Sequence, residues 1–548
     1  MATASPVTLE TPKNGGAQNI WLHGPASDLL LGSGALYILF FIGLAFYGPE
    51  IRQAQAPYLL ALLVLLVSMP HYGATLVRVY EARRDRRAYA VFSVWISLAL
   101  FALFVAGVHW AIVGSVLLTV YLTWSPWHYT GQNYGIAVMF LRRRGIAVEP
   151  STKRWFYTSF ILSYVLVLCA FHGDVGGVVS YDRFSLDQAD IAFLPLGFPN
   201  EYARVVWVIA ATAYVCATLV SVGLLLRRGS LRSLMPALFL MVSQALWFSL
   251  PFSFAFWQIQ SGVEPIDAQS RVTDYVLYVA LAHATQYLWV TSYYARATPR
   301  WRGGVRYGGK VLAAGIAIWT LPVILFAPDL LGSATYDTGL ALVLAAAINI
   351  HHFILDGAIW KLRNTRIGGV LIRSGQETTD ASPERSSRGL RAVVWGLCAA
   401  GALVAAVMFV EMEIRFDRTY AKSDWQGVEN ILDRARWFGR DKAETRRRIA
   451  RQMFGAGDTQ GAIDNYHRAI ALTPNASYLG ELGFVRQQTG DLDAALALYL
   501  EGLELQPDHP ILLLHLGRAQ RENGQLDAAV QTFERLSQIE RASRPGSP

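Results

Sequence analysis

Asn349-Ile350-His351-His352-Phe353-Ile354-Leu355-Asp356 lies near the end of an apolar run that stops at Lys361. Two adjacent histidines, with a carboxylate one helical turn beyond the second, are costly groups to place in hydrocarbon. Ionisable residues inside a membrane segment mark a functional site by default. The reading of the whole chain therefore turns on whether other histidines sit at the same depth.

The surrounding composition supports a membrane setting. Of 548 residues, 53% are hydrophobic and only 16% are charged, against roughly a quarter charged in an ordinary soluble protein. The formal net charge of +8 could suggest a nucleic-acid partner. The basic residues instead cluster in short runs between apolar segments, as in Arg83-Arg84-Asp85-Arg86-Arg87, Arg142-Arg143-Arg144 and Arg227-Arg228. Such runs orient a membrane protein, and no nucleic-acid partner is expected. Cys169, Cys216 and Cys398 all fall in apolar runs without metal-ligand spacing, so they leave the redox compartment open.

Stretches of about 20 apolar residues are membrane-helix candidates. Eleven are read here: 29–48, 57–80, 88–108, 110–140, 155–172, 201–226, 233–259, 272–295, 310–327, 338–360 and 390–411. The first lacks a preceding basic patch and is long enough to span, so it is read as an uncleaved helix. Basic residues follow the even-numbered runs, which places those ends and the N-terminal segment 1–28 in the cytoplasm. The expectation is an all-α polytopic bundle over 29–411 with a cytoplasmic linker at 361–390. Everything after the eleventh run then lies outside, and a bacterial inner (plasma) membrane is the expected location. Pro126 is expected to kink the long fourth run just before His128.

The depth of each histidine can be measured from its basic end. His71 lies twelve residues before Arg83, His128 fourteen before Arg142, and His283 thirteen before Arg296. His351 and His352 lie ten and nine before Lys361. At about 1.5 Å per residue, all five fall roughly 14–21 Å from that end, near mid-bilayer. An isolated histidine between membrane helices is often a plain hydrogen-bonding group. Five at one level, on four runs of the same direction, are read as metal ligands.

Residues three or four apart share a helix face. That spacing pairs His71 with Thr75, His128 with Gln132, and His283 with Gln286 and Tyr287, while Asn349, His352 and Asp356 form one stripe. A ligating imidazole usually hands its other N–H to an acceptor nearby. Gln132, Gln286 and Tyr287 are candidates for supporting or catalytic roles. Asp356 is open to three: ligand, outer hydrogen-bond acceptor or general base.

Neutral imidazoles suit iron, copper and zinc, and four or five of them with an optional carboxylate fit iron best. The expected chemistry is that of a non-haem iron oxygenase or oxidase, with copper or bis-histidine haem as variants. Its substrate would be a lipophilic molecule such as a lipid, isoprenoid or carotenoid entering from the bilayer. Trp124, Trp127, Tyr134, Trp247, Phe252, Phe256, Trp257 and Trp289 are candidates to line that path. In its scattered membrane histidines, and in the doublet His351-His352, the bundle loosely resembles the histidine-cluster iron enzymes (membrane desaturases, hydroxylases and carotene-cleaving oxygenases). It lacks the HxxxH and HxxHH boxes of the first two.

The C-terminal part has a different character. Gly483, Ala495, Tyr499, Gly502 and Pro507 recur as Gly517, Ala529 and Phe533, and earlier as Ala462, Tyr466, Ala469 and Pro474, at offsets of 33 or 34 residues. This resembles the tetratricopeptide helical-hairpin repeat, assigned to 453–541 with a tail at 542–548. The resemblance implies a groove for a protein partner. Residues 412–452 read as a basic helical connector that caps the stack or lies on anionic lipid.

Such a tail on a membrane bundle also resembles envelope glycan enzymes, such as O-antigen ligases and lipid-linked sugar transferases. That resemblance implies outer-loop chemistry at Asp174, Asp182, Arg183 and Asp187. A transporter or assembly scaffold without chemistry is the third reading.

Overall fold

A computed structural model describes residues 20–56, 58–81, 87–172, 191–261, 265–326, 339–362, 365–375 and 388–542. Every apolar run named above coincides with a helix, and the described residues contain no strand. The basic residues Arg83 to Arg86, residues 363–364 and 376–387 of the linker, and the tail 543–548 lie outside the described residues. So do Asp174, Asp182, Arg183 and Asp187.

The first run is a bent pair, Pro25–Gly32 followed by α1 (Ala35–Ala54), with 43° between its two apolar arms. Gly34, at φ 90°, makes the bend, and Ser243 abuts it where a Cβ would stand. Then come α2 (Leu59–Tyr80), α3 (Val91–His109), α4 (Ala111–Arg143), α5 (Pro150–His172), α6 (Asn200–Leu226), α7 (Leu231–Gln258), α8 (Pro265–Arg296), α9 (Gly304–Phe326) and α10 (Ala341–Ile359). A short helix α11 (Thr365–Leu371) precedes α12 (Gly389–Ala421).

Eleven runs were expected to span. By length and composition, eight helices among the described residues are apolar enough to cross a membrane, or nine with the bent pair. The long helices α4 and α8 fall outside that set. They are the two that carry His128, Gln132 and Asn133, and His283 and Gln286. Polar side chains lower their mean hydropathy, and both stand in the interior of the bundle.

Helix α4 stands at the centre, packed on α3, α5, α7 and α10. It continues as one 33-residue helix through Pro126. Helix α2 packs on α9 through two glycines. A Cβ on Gly73 would collide with the Val311 carbonyl, and one on Gly315 with that of Met69. These backbones touch, which fixes the height of His71 on α2.

The C-terminal helices form a stack of hairpins. Helix α13 (Trp425–Ala435) leads into the pairs α14 (Ala443–Gly455) with α15 (Thr459–Leu472), α16 (Ala476–Gln488) with α17 (Leu492–Leu505), and α18 (Pro510–Glu522) with α19 (Leu526–Ala542). The repeat period reappears in the turns. Gly457, Gly490 and Gly524 have φ of 88°, 84° and 75°, the left-handed region that glycine enters without strain. Asp424, Asp458 and Asp491 each cap the next helix. A Cβ on Gly483 would lie 2.6 Å from the Tyr499 ring, and one on Gly517 2.7 Å from Phe533, so the small residues are where paired helices meet.

The first hairpin begins at Ala443 and crosses the boundary read from the sequence at 452/453. Its basic residues serve the stack itself. Arg446 is buried and bonds Asp441, Asp433 and Asn465, and Arg447 and Arg451 both reach Glu481.

Candidate metal centre

Four helices bring one imidazole each to the same place. His71 of α2, His128 of α4, His283 of α8 and His352 of α10 are nearly or fully buried. The ring centroid of His352 lies 4.8 Å from that of His71, 5.1 Å from His128 and 6.4 Å from His283. His283 is in turn 5.6 Å from His71 and 5.0 Å from His128. Asp356 completes the group, with Oδ2 3.4 Å from His352 Nε2 and 3.8 Å from His128 Nε2. Ligand atoms within 4.8 Å of one another occur in two overlapping sets, His71–His283–His352 and His128–His352–Asp356.

The local sequence accounts for this arrangement. A π-helical turn at Val64–Ser68 precedes Met69, and Pro70 occupies the first turn of the next helical segment. Such turns insert one residue and re-aim the side chains beyond them. Here the turn leaves the Ser68 carbonyl against His71 Nδ1, which donates to it. His71 therefore keeps Nε2 as a lone pair.

His352 Nδ1 lies 3.0 Å from Thr75 Oγ1. The single hydroxyl proton of Thr75 already has two acceptors, the Tyr287 hydroxyl at 2.5 Å and Asp356 Oδ1 at 3.0 Å. The imidazole is thus the donor, and His352 Nε2 is left as a lone pair facing Asp356 Oδ2. Tyr287 donates to Asp356 Oδ1 at 2.7 Å and accepts from Trp360 Nε1 at 3.0 Å.

The other ring nitrogens are the informative atoms. His128 Nε2, His352 Nε2 and both nitrogens of His283 are buried and have no hydrogen-bond partner. Buried polar atoms in native proteins are almost always paired, so orphaned nitrogens on three clustered imidazoles, two of them facing the Asp356 carboxylate, fit a cation. The donor set of imidazoles plus one carboxylate fits iron, copper or zinc.

Not every predicted residue joins. His351 points away, and its Nε2 sits 2.8 Å from Ser97 Oγ and 3.2 Å from Tyr80 OH. Adjacent helical residues point about 100° apart, and here that sends His351 to α3. It is a satisfied hydrogen-bonding group and is removed from the ligand set. Gln132 and Gln286 also leave the chemistry. Gln132 donates to Gln286 Oε1 at 2.7 Å and to the His283 carbonyl at 3.3 Å, while Gln286 donates to the Gly32 carbonyl at 3.0 Å. They clamp α4, α8 and the N-terminal turn together.

Asn349 accepts from Tyr72 at 2.8 Å and does not support an imidazole. The support for His352 and Asp356 comes from Thr75, Tyr287 and Trp360 on three segments. Trp360, missed from the sequence, stands one turn beyond Asp356 at the i+4 spacing that could have flagged it. Of the aromatics proposed for a substrate path, Trp124 and Trp127 line a cavity beside His128, whereas Trp247 and Phe252 are core and Trp289 bonds Asp28.

Comparisons with known proteins address the C-terminal stack. A family model for the tetratricopeptide repeat matches residues 487–545. Photosystem I assembly protein Ycf3 of Prochlorococcus marinus is 30% identical over 94 residues, covering 15% of this chain and 54% of that protein. The chain therefore spans about half the length of this curated relative. The crystal structure of MamA aligns with 29% of this chain and 98% of its own at 21% identity, with a TM-score of 0.22. The C-terminal part of this protein is a tetratricopeptide-repeat module, a class of helical repeat that serves protein–protein interaction.

Proposed function

We propose that this chain is an integral-membrane, metal-dependent oxidase or oxygenase, with non-haem iron as the best-fitting metal and a lipophilic substrate. The observation that carries the reading is the convergence of four buried imidazoles and Asp356 from four helices, with ring nitrogens that no protein group satisfies. Bound there, iron would supply dioxygen activation, and both dioxygen and apolar substrates concentrate in a bilayer. The protein's part is to hold the donors. Ser68 and Thr75 fix the tautomers of His71 and His352, and Tyr287 and Thr75 hold one oxygen of Asp356 so that the other faces the histidines. Partners of this kind are worth about 10–100-fold in metal affinity. The apolar surroundings exclude water from the reacting atoms.

The spacing of the rings favours a non-haem centre. A bis-histidine haem needs a flat slot between two axial rings. The gap beside His352 and His71, 4.8 Å between centroids, is bordered by two further imidazoles. Basic residues after the even-numbered runs support a cytoplasmic N-terminus and a tetratricopeptide module outside, in the inner membrane of a bacterium. That module would dock a protein partner.

The test is metal analysis of the detergent-purified full chain. Stoichiometric iron, lost in His128→Ala and in His352→Ala, is the expected result. A folded wild-type protein that takes up no iron, copper or zinc overturns the proposal.

A further inference from the structure

A cavity of about 330 Å³ runs beside the candidate centre. On α4 it is lined by Trp124, Trp127, His128, Gly131, Gly135 and Met139, residues spaced three or four apart along one face of the helix. From Trp124 to Met139 is fifteen residues, or about 22 Å of helix. The opposite wall is Phe353, Asp356, Gly357 and Trp360 of α10 and its end. Leu371 closes the Met139 end, tied there by its carbonyl, which accepts from Arg143 at 2.8 Å.

The floor of this cavity is bare backbone. A Cβ on Gly131, Gly135 or Gly357 would meet nothing within 4 Å. These glycines do not serve helix contact, unlike Gly73 and Gly315, and they leave space that any side chain would fill. Gly131, Gly357 and Trp127 are exposed at the surface of the bundle, so the space opens sideways between α4 and α10.

Several polar groups along the wall are engaged with one another or with neighbours. Gln132 bonds Gln286, and Tyr287 bonds Asp356. His128 Nε2, by contrast, is buried and unpartnered, beside Asp356. Its ring is stacked on Phe353 at 4.4 Å, which fixes its aim.

Resting on the metal-centre reading, we infer that the substrate is an extended hydrocarbon chain lying lengthwise over Gly131 and Gly135, so that an internal carbon, not a chain end, faces the metal. His128 stands four residues from Trp124 and eleven from Met139, which puts it about 6 Å from one end of the cavity and about 16 Å from the other. A compact ligand would leave most of that length empty. The walls along that length are mainly aromatic rings, aliphatic side chains and bare glycine backbone, surfaces that suit a hydrocarbon chain.

The experiment uses the full chain in saturated-lipid nanodiscs and methyl parinarate, a linear conjugated tetraene ester, as probe. Energy transfer from tryptophan should report saturable binding. Gly131→Leu and Gly135→Leu should each weaken it by about tenfold or more, a loss of roughly 1.4 kcal/mol, with metal content unchanged. His71→Ala, a ligand-set residue outside the cavity wall, should lose metal and keep probe binding. A wild-type protein without metal whose probe binding still depends on the glycines would sink the metal reading and leave the groove standing. Probe affinity unchanged in both leucine variants overturns the groove.

The position is read with stearates carrying a nitroxide near the carboxyl, at mid-chain or near the methyl end. Relaxation by a bound paramagnetic ion should be strongest at mid-chain. Strongest relaxation at either terminal label overturns the internal placement.

Discussion

Tyr287 donates its hydroxyl proton to Asp356 Oδ1 at 2.7 Å, across the gap between α8 and α10. The same phenol oxygen accepts from Trp360 Nε1. Removing it frees the carboxylate to rotate and leaves the indole N–H without its acceptor. Tyr287→Phe is expected to keep the fold and lower metal affinity by about 10–100-fold, the usual effect of losing a group that orients a ligand. Competition against a chelator of known affinity measures this. Wild-type affinity in the variant would show that Asp356 is not a ligand held by Tyr287.

The doublet in α10 gives a sharper contrast. His352 belongs to both ligand sets, whereas His351 is satisfied by Ser97 and Tyr80. His352→Ala should abolish stoichiometric metal. His351→Ala should retain it and cost about 0.6–1.7 kcal/mol in stability, the range for hydrogen bonds between membrane helices. Metal analysis of the two proteins, purified in parallel, decides the matter. Equal loss in both would return His351 to the site.

The close approach of α2 and α9 predicts a steric effect. Gly73→Leu or Gly315→Leu drives a side chain into a carbonyl of the facing helix. Overpacking of this kind costs about 1–3 kcal/mol, and Gly73→Leu should also displace His71, two residues away. Gly308, on the same helix as Gly315 but facing open space, is the control. Thermal melts should drop for the first two and stay near wild type for Gly308→Leu.

In the tetratricopeptide module, Arg446 and Asp441 are both buried, with Nε donating to Oδ1 at 2.8 Å. Arg446→Ala leaves Asp441 with Arg468 alone and strips Asn465 of a partner. Breaking a buried pair from one side costs on the order of 3–5 kcal/mol. Limited proteolysis of the full chain should find new cleavage in α14 and α15 while iron content is kept. Loss of both would tie the two regions together in folding.

Much of the architecture was legible in the chain. Apolar runs of membrane length all became helices, because a long run of apolar residues has few other ways to satisfy its backbone. The depth measurement found His71, His128, His283 and His352, since rise per residue is constant along a helix. The repeat was legible as well, since Gly483 and Gly517 must be small where Tyr499 and Phe533 lie against them.

Sequence spacing placed Asp356 beside His352, as the structure has it, but misplaced the partners of His71 and His128. It paired His71 with Thr75 and His128 with Gln132 on single helices. In the folded chain Thr75 crosses to His352 and Asp356, and Gln132 crosses to Gln286. A same-face rule describes one helix, and these contacts lie between helices. The span count fell short for a related reason, since α4 and α8 are polar where they carry the site.

The sequence by itself determined which residues share a depth, where the helices run and where the repeats begin to recur, because those depend on rise, periodicity and apolar length. Only the tertiary structure decided which imidazoles face one another, that His351 turns away, and that Gly131 and Gly135 floor a cavity and join no helix contact. Those depend on the rotation of each helix about its own axis, which side chains on neighbouring helices set together.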